Sequence, residues 1–192
     1  MTCVHLTGSN SKDCPKTAVL WLDVKGGRDE TLKLYRDLAG MNNADVFWVV
    51  DATRGTPSAP RHPPWTHNWT FTHAQQQAAF PLAVPKNLRP PDLGTDGITA
   101  LFRRQHRQYK FIWVIEQDVR FLGDWAIFIG SFCTDKTDLI TTSTDKATPD
   151  TWGYAKELVW PPVVDFVARK GWVWKSLIPV VRYSDALLRE LE

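Results

Sequence analysis

Long apolar runs are missing from this sequence. None of its 192 residues fall in a stretch approaching the roughly 18 consecutive apolar positions that a membrane-crossing helix needs. The first residues, Met1-Thr2-Cys3-Val4-His5, lack the basic and then apolar segments of a secretory leader. An excess of one charge is missing too. The 23 Lys and Arg against 21 Asp and Glu leave a net charge of +2, whereas a duplex DNA binder needs surplus cations gathered on one face, so no nucleic-acid partner is expected. Cysteine is scarce, with Cys3, Cys14 and Cys133 making an odd set of three. That set leads us to expect no disulfide framework and a reducing compartment, hence a cytoplasmic chain. The lumenal alternative applies if the sequence is a piece of a longer protein. The glycosylation sequon Asn68-Trp69-Thr70 matters only in a secreted chain. Internal repeats and low-complexity segments are also absent.

What is present is an ordinary globular balance of 43% apolar and 23% charged residues, with ten tryptophans and 13 prolines. Disordered tails, collagen-like rods and coiled coils are excluded by that composition. Ala18–Val24, Asp45–Asp51 and Tyr109–Ile115 are short runs that are apolar or nearly so at successive positions, which predicts strands buried on both faces of a parallel sheet. Between the first two, residues 28–39 space Leu32, Leu34, Tyr35 and Leu38 helically and meet a stop at Gly40. Strand, helix and strand over about 35 residues is a βαβ unit. Residues 53–97 read as a long proline-rich connection in which only His73–Phe80 forms a short helix. Ile98–Gln108 reads as a helix, Ala126–Phe132 as another, 138–142 as a short strand and Val163–Lys170 as a helix. Ser176–Arg182 reads as a last strand, before a terminal helix capped by Ser184. The expected architecture is one α/β domain over 17–192, with a mostly parallel Rossmann-like sheet, flanking helices, long aromatic and proline-rich loops, and an N-terminal arm over 1–16.

Most tryptophans belong to the core: Trp21, Trp48 and Trp113 stand inside apolar strands. His62, His67 and His73 are spaced by five and six residues, which fits no standard zinc site, so they read as surface histidines. Cys133 reads as a small buried hydrophobe. Three strands end in acids, at Asp23, at Asp51 and at the pair Glu116 and Asp118. Ligands of open α/β sheets sit beyond the carboxyl ends of the strands. Carboxylates gathered there repel one another unless a cation joins them, and a hard divalent ion shared with a diphosphate meets that need.

The segment Phe111-Ile112-Trp113-Val114-Ile115-Glu116-Gln117-Asp118-Val119-Arg120-Phe121-Leu122-Gly123-Asp124-Trp125 resembles the metal-binding segment of nucleotide-diphospho-sugar transferases of the GT-A fold. Its pattern resembles a subgroup from algae, their large viruses and some bacteria, with a Glu-x-Asp-Val run and a later Gly-x-Trp. Leu177-Ile178-Pro179-Val180-Val181-Arg182-Tyr183-Ser184 is similar to a second element of that subgroup. The resemblance implies a glycosyltransferase, moving a hexosyl or deoxyhexosyl group from a UDP- or GDP-sugar donor to a carbohydrate acceptor with Mn²⁺ or Mg²⁺. It makes Asp118 a metal ligand and gives Glu116 a metal contact through water or a contact to the donor ribose. Asp51 takes the place of a base or ribose contact, Asp23 and Asp96 belong to the same pocket, Arg103 or Arg104 faces the phosphates, and Trp152 stacks on the acceptor. An inverting reaction would draw its general base from Asp145 or Asp150. The chain departs from the pattern in having Glu rather than Asp first, and past Ser184 only Asp185 offers a further ligand, so a catalytic core of a longer protein is expected. A non-catalytic sugar or nucleotide-sugar binding module of the same fold is the alternative, and a metal-dependent nuclease stands behind both.

Overall fold

A computed structural model describes residues 14–22, 29–53, 67–80, 94–116, 119–146 and 174–190. The elements run β1 (Thr17–Leu22), α1 (Asp29–Leu38), β2 (Ala44–Asp51), β3 (His67–Phe71), α2 (His73–Ala79), α3 (Gly94–Gln105), β4 (Phe111–Glu116), α4 (Trp125–Ser131), β5 (Leu139–Lys146), β6 (Trp174–Ser184) and α5 (Asp185–Glu190). One six-stranded sheet has the order β3-β2-β1-β4-β6-β5. The β2–β1, β1–β4 and β3–β2 pairs are parallel and β6 lies antiparallel to β4. The expected α/β class, with a mostly parallel sheet and flanking helices, is what the chain adopts.

The apolar strands have the physical basis their composition suggests. Successive side chains of a strand point to opposite faces, and both faces are covered. Val19, Trp21, Trp48, Trp113 and Ile115 pack with Leu34, Tyr35 and Leu38 of α1 and with Trp125 and Ile129 of α4. The alternate positions serve α3, where the rings of Phe47 and Phe102 meet edge to face at 4.8 Å. Trp113 and Phe102 are essentially buried, and hiding side chains of this size contributes on the order of 2–3 kcal/mol each.

Contacts divide the chain into two compact units, Met1–Ile140 with Pro179–Glu192, and Thr141–Ile178. The second unit contributes the strand residues 141–146 and 174–178.

Several expectations need correction. Residues 67–71 form a further parallel strand rather than loop, pairing Phe47↔His67 through Asp51↔Phe71. The alternation is there, since Trp69 and Phe71 are buried while Asn68 and Thr70 are exposed, but it spans only five residues among prolines. Helix α3 begins at Gly94 and runs through Gly97. Thr95, Ile98, Thr99 and Phe102 lie at helical spacing on its buried side, and that burial outweighs the roughly 1 kcal/mol cost of an interior glycine. The terminal helix is capped as expected, with Leu187 N–H donating to Ser184 Oγ at 3.0 Å. The helix expected over 163–170 lies outside the described residues.

The cysteine expectation is overturned. Cys14 and Cys133 form a disulfide, with Cα atoms 5.1 Å apart and 119 residues between them in sequence. Cys133 is therefore not a free hydrophobe, and a covalent tie fixes the segment before β1 to the turn after α4. Arg182 of β6 grips that same turn. Its guanidinium donates to the carbonyls of Phe132 (2.9 Å), Asp135 (3.2 Å) and Thr137 (2.9 Å) and to the Asp135 carboxylate (3.1 Å). It also lies 4.2 Å from the centroid of the Phe111 ring. This buried cation ties the turn after α4 to β6, and the carbonyls and carboxylate offset the loss of its water.

Candidate functional site

The strand order marks one edge of the sheet as the expected ligand side. From β1 the chain passes through α1 to β2 and on to β3 on one side, then returns to place β4 on the other side of β1. The order reverses between β1 and β4, and in open parallel sheets the ligand crevice opens outside the carboxyl ends at such a reversal. The register puts Leu22, at the end of β1, level with Glu116 of β4 and with Val49 of β2. Glu116 is the last residue of β4, half-buried at the carboxyl edge where that reversal lies. Its carbonyl accepts from Val119 N–H at 3.1 Å. Asp118 and Asp23 lie outside the described residues.

Side chains of α1 hold the segment that leaves β4. Asp37 Oδ2 accepts from the Trp125 N–H at 3.1 Å and from the Lys33 ammonium, which also donates to the Gly123 carbonyl. Asp124 caps α4, accepting from Ala126 N–H at 2.7 Å and Ile127 N–H at 3.1 Å. Trp125 is buried against the ring of Phe121, with centroids 4.7 Å apart, and Phe128 lies 5.4 Å from the same ring. A Cβ on Gly123 would come within 2.6 Å of the Phe121 ring, which would have to shift. Gly123, Asp124 and Trp125 thus act together as the anchor of the loop that leaves β4. Sequence reasoning missed Lys33 and Asp37 as partners of this loop, since 88 to 90 residues separate them from Trp125 and Gly123.

Asp51 ends β2 at the same carboxyl edge. Its Oδ1 accepts from Thr53 N–H at 2.8 Å, and its Oδ2 lies 3.4 Å from His73 Nε2. His73 N–H in turn donates to Thr53 Oγ1 at 2.9 Å. Thr72 and Gln75 form a capping box that starts α2 at His73 and fixes this corner. His73 is therefore not an unengaged surface histidine: it stands against Asp51, with its Nδ1 buried and lacking a hydrogen-bond partner. Only β1 separates Asp51 from Glu116 in the sheet. Two strand spacings and a two-residue offset put their Cα atoms on the order of 10 Å apart.

Other expected residues lie elsewhere. Arg103 is buried in an ion pair with Asp185 at 2.8 Å. The Asp185 N–H donates to the Lys110 carbonyl just before β4 begins, so this pair sits at the amino end of that strand. The helix before a parallel strand runs against it, which carries its last turn to the edge away from Glu116. Arg104 points with it, donating to the Ala79 carbonyl at 3.0 Å and lying over the Phe80 ring. Neither arginine joins the carboxyl-edge acids, and nor does Asp185. Asp96, in the first turn of α3, accepts from the Tyr183 hydroxyl. Burial, reinforced by that carboxylate, raises the Tyr183 phenol above its usual pKa and keeps it a donor. Asp145 lies on β5 within the second compact unit, and Asp150 and Trp152 lie outside the described residues.

Among the described residues no group of three or more His, Cys, Asp or Glu gathers as a metal cage. Mg²⁺ or Mn²⁺ that shares its coordination with water and phosphate oxygens requires only one or two carboxylates, and Glu116 is of that donor class. Among the described residues no helix is long and apolar enough to cross a membrane. No protein-family model matches the chain, and no curated protein matches it.

Proposed function

We propose that this chain is a metal-dependent glycosyltransferase of the GT-A type, moving a sugar from a nucleotide-diphosphate donor to a carbohydrate acceptor. The observation that carries this reading is the coincidence of two independent features. The sheet reverses its strand order between β1 and β4, and β4 ends there in Glu116, the first acid of the Glu-Gln-Asp-Val segment. A crevice at a parallel-sheet reversal suits a nucleotide, whose base and ribose occupy one strand end while the diphosphate reaches the next. The spacing of Asp51 from Glu116 matches that division of labour.

In this reading Asp118 and Glu116 hold Mn²⁺ or Mg²⁺, which when bound neutralises charge on the diphosphate leaving group. Asp51, oriented by Thr53 and His73, accepts hydrogen bonds from the ribose or base, and Asp23 is assigned to the same pocket. Lys33 and Asp37 hold Gly123 and Trp125, at the far end of the segment that leaves β4, in place before donor arrives. The acceptor is met by Trp152, and Asp145 or Asp150 deprotonates its hydroxyl. The Cys14–Cys133 bridge favours an oxidising lumen over the cytoplasm as the place of work.

Calorimetric titration with UDP and with GDP, each with and without Mn²⁺, tests the assignment. One nucleotide should bind only with the metal. Asp118→Ala and Glu116→Ala should each weaken that binding at least about tenfold, about 1.4 kcal/mol, without loss of helical circular dichroism. Metal-independent binding, or unchanged binding by both variants, would remove the acids from the site. Binding intact but no nucleoside diphosphate released from any sugar donor would reduce the protein to a binding module.

A further inference from the structure

We propose that Asn68 carries an N-linked glycan. Asn68-Trp69-Thr70 is the single Asn-x-Ser/Thr triplet in the chain. The structure places it on β3, the terminal strand of the sheet order. Trp69 and Phe71 turn inward, where the Trp69 ring meets Phe102 of α3 at 5.2 Å and its Nε1–H donates to Gln105 at 2.7 Å. Asn68 and Thr70 alternate with them and are both exposed. The acceptor amide and the hydroxyl that defines the triplet therefore share the open face, and the folded strand accommodates a sugar on Asn68 without moving a core residue.

The disulfide is the second, independent observation. A bridge between Cys14 and Cys133 belongs to an oxidising compartment, and the secretory lumen is also where lipid-linked oligosaccharide is available. In the transfer, Asn68 Nδ2 forms a bond to the anomeric carbon of the oligosaccharide. The bond from that carbon to the lipid diphosphate breaks, the diphosphate departs with the electron pair, and the amide gives up one proton. A glycan here also stands near the outer edge of β3, which pairs with no further strand among the described residues and is a potential template for another chain. It leaves the proposed crevice clear, since β2 and β1 intervene between β3 and β4. The inference stands apart from the glycosyltransferase reading, because nucleotide binding takes no part in its test.

The experiment is digestion with peptide N-glycosidase of the protein purified from its own cells, followed by peptide mass spectrometry in heavy-oxygen water. One gel shift and isotopically labelled deamidation at Asn68 are expected. Expressed in the same cells, Asn68→Gln and Thr70→Ala should lose the shift and Thr70→Ser should keep it. Titration of a single free thiol in each variant would verify that the bridge has formed. Chain with that bridge intact but an unmodified Asn68 overturns the proposal, as does a shift that survives in Asn68→Gln.

Discussion

Opening the Cys14–Cys133 bridge should lower stability by about 5 kcal/mol while leaving the native secondary structure in place. The figure comes from loop closure. A cross-link spanning 119 residues removes about 5 kcal/mol of conformational freedom from the unfolded chain at room temperature on the chain-entropy account. The folded state should survive the change, because Arg182 still binds the turn after α4 through three carbonyls and the Asp135 carboxylate. Urea titration of the Cys14→Ser/Cys133→Ser double variant is the assay. With a denaturant slope of about 2 kcal/mol/M, the midpoint should fall by about 2.5 M relative to the oxidised protein. Wild type with reductant should fall to match the variant. Thiol counting supplies the control, since denatured, unreduced protein should expose one reactive cysteine, Cys3, and reduced protein three. Three thiols without reductant would refute the bridge itself. One thiol together with an unchanged midpoint in the double variant would refute the entropic reasoning while leaving the bridge standing.

Two further outcomes rest on named contacts. Asp37→Ala removes the acceptor shared by Lys33 and the Trp125 N–H; it should cost about 1.5–3 kcal/mol in urea unfolding and weaken metal-dependent nucleotide binding, and full-strength binding would show that the loop needs no anchor on α1. His106 is held below its ordinary value of 6.5 by burial, with the nearby His67 second. The unfolded chain therefore takes up the proton more readily, so this contribution to stability is complete above about pH 6.5 and declines as the pH falls through that value. The drop in urea midpoint between pH 7.5 and 5.5 should be smaller in His106→Gln, and equal drops would exclude His106 as the source.

How far the chain could be read from its residues depends on how local each feature is. Ala18–Leu22, Val46–Val50 and Phe111–Ile115 announce strands covered on both sides because every position is apolar, and both faces are indeed packed. The helical spacing of Leu34, Tyr35 and Leu38 and the cap at Ser184 are equally local, resting on residues within one or two turns of each other. β3 escaped because two buried residues in five are a weak alternation. Arg103 looked like a phosphate ligand because its position in the sequence says nothing of which edge of the sheet the last turn of α3 reaches, and its partner Asp185 is 82 residues away.

Chemical types and short-range periods thus carried the acids at strand ends, the strand and helix pattern and the Glu-Gln-Asp-Val segment. The order in which the strands lie, its reversal between β1 and β4, the union of Cys14 with Cys133 and the hold of Lys33 and Asp37 on Gly123 and Trp125 came only with the folded chain. These are meetings of groups scores of residues apart. Their free energy depends on packing the whole sheet at once, and no window of neighbouring residues contains it.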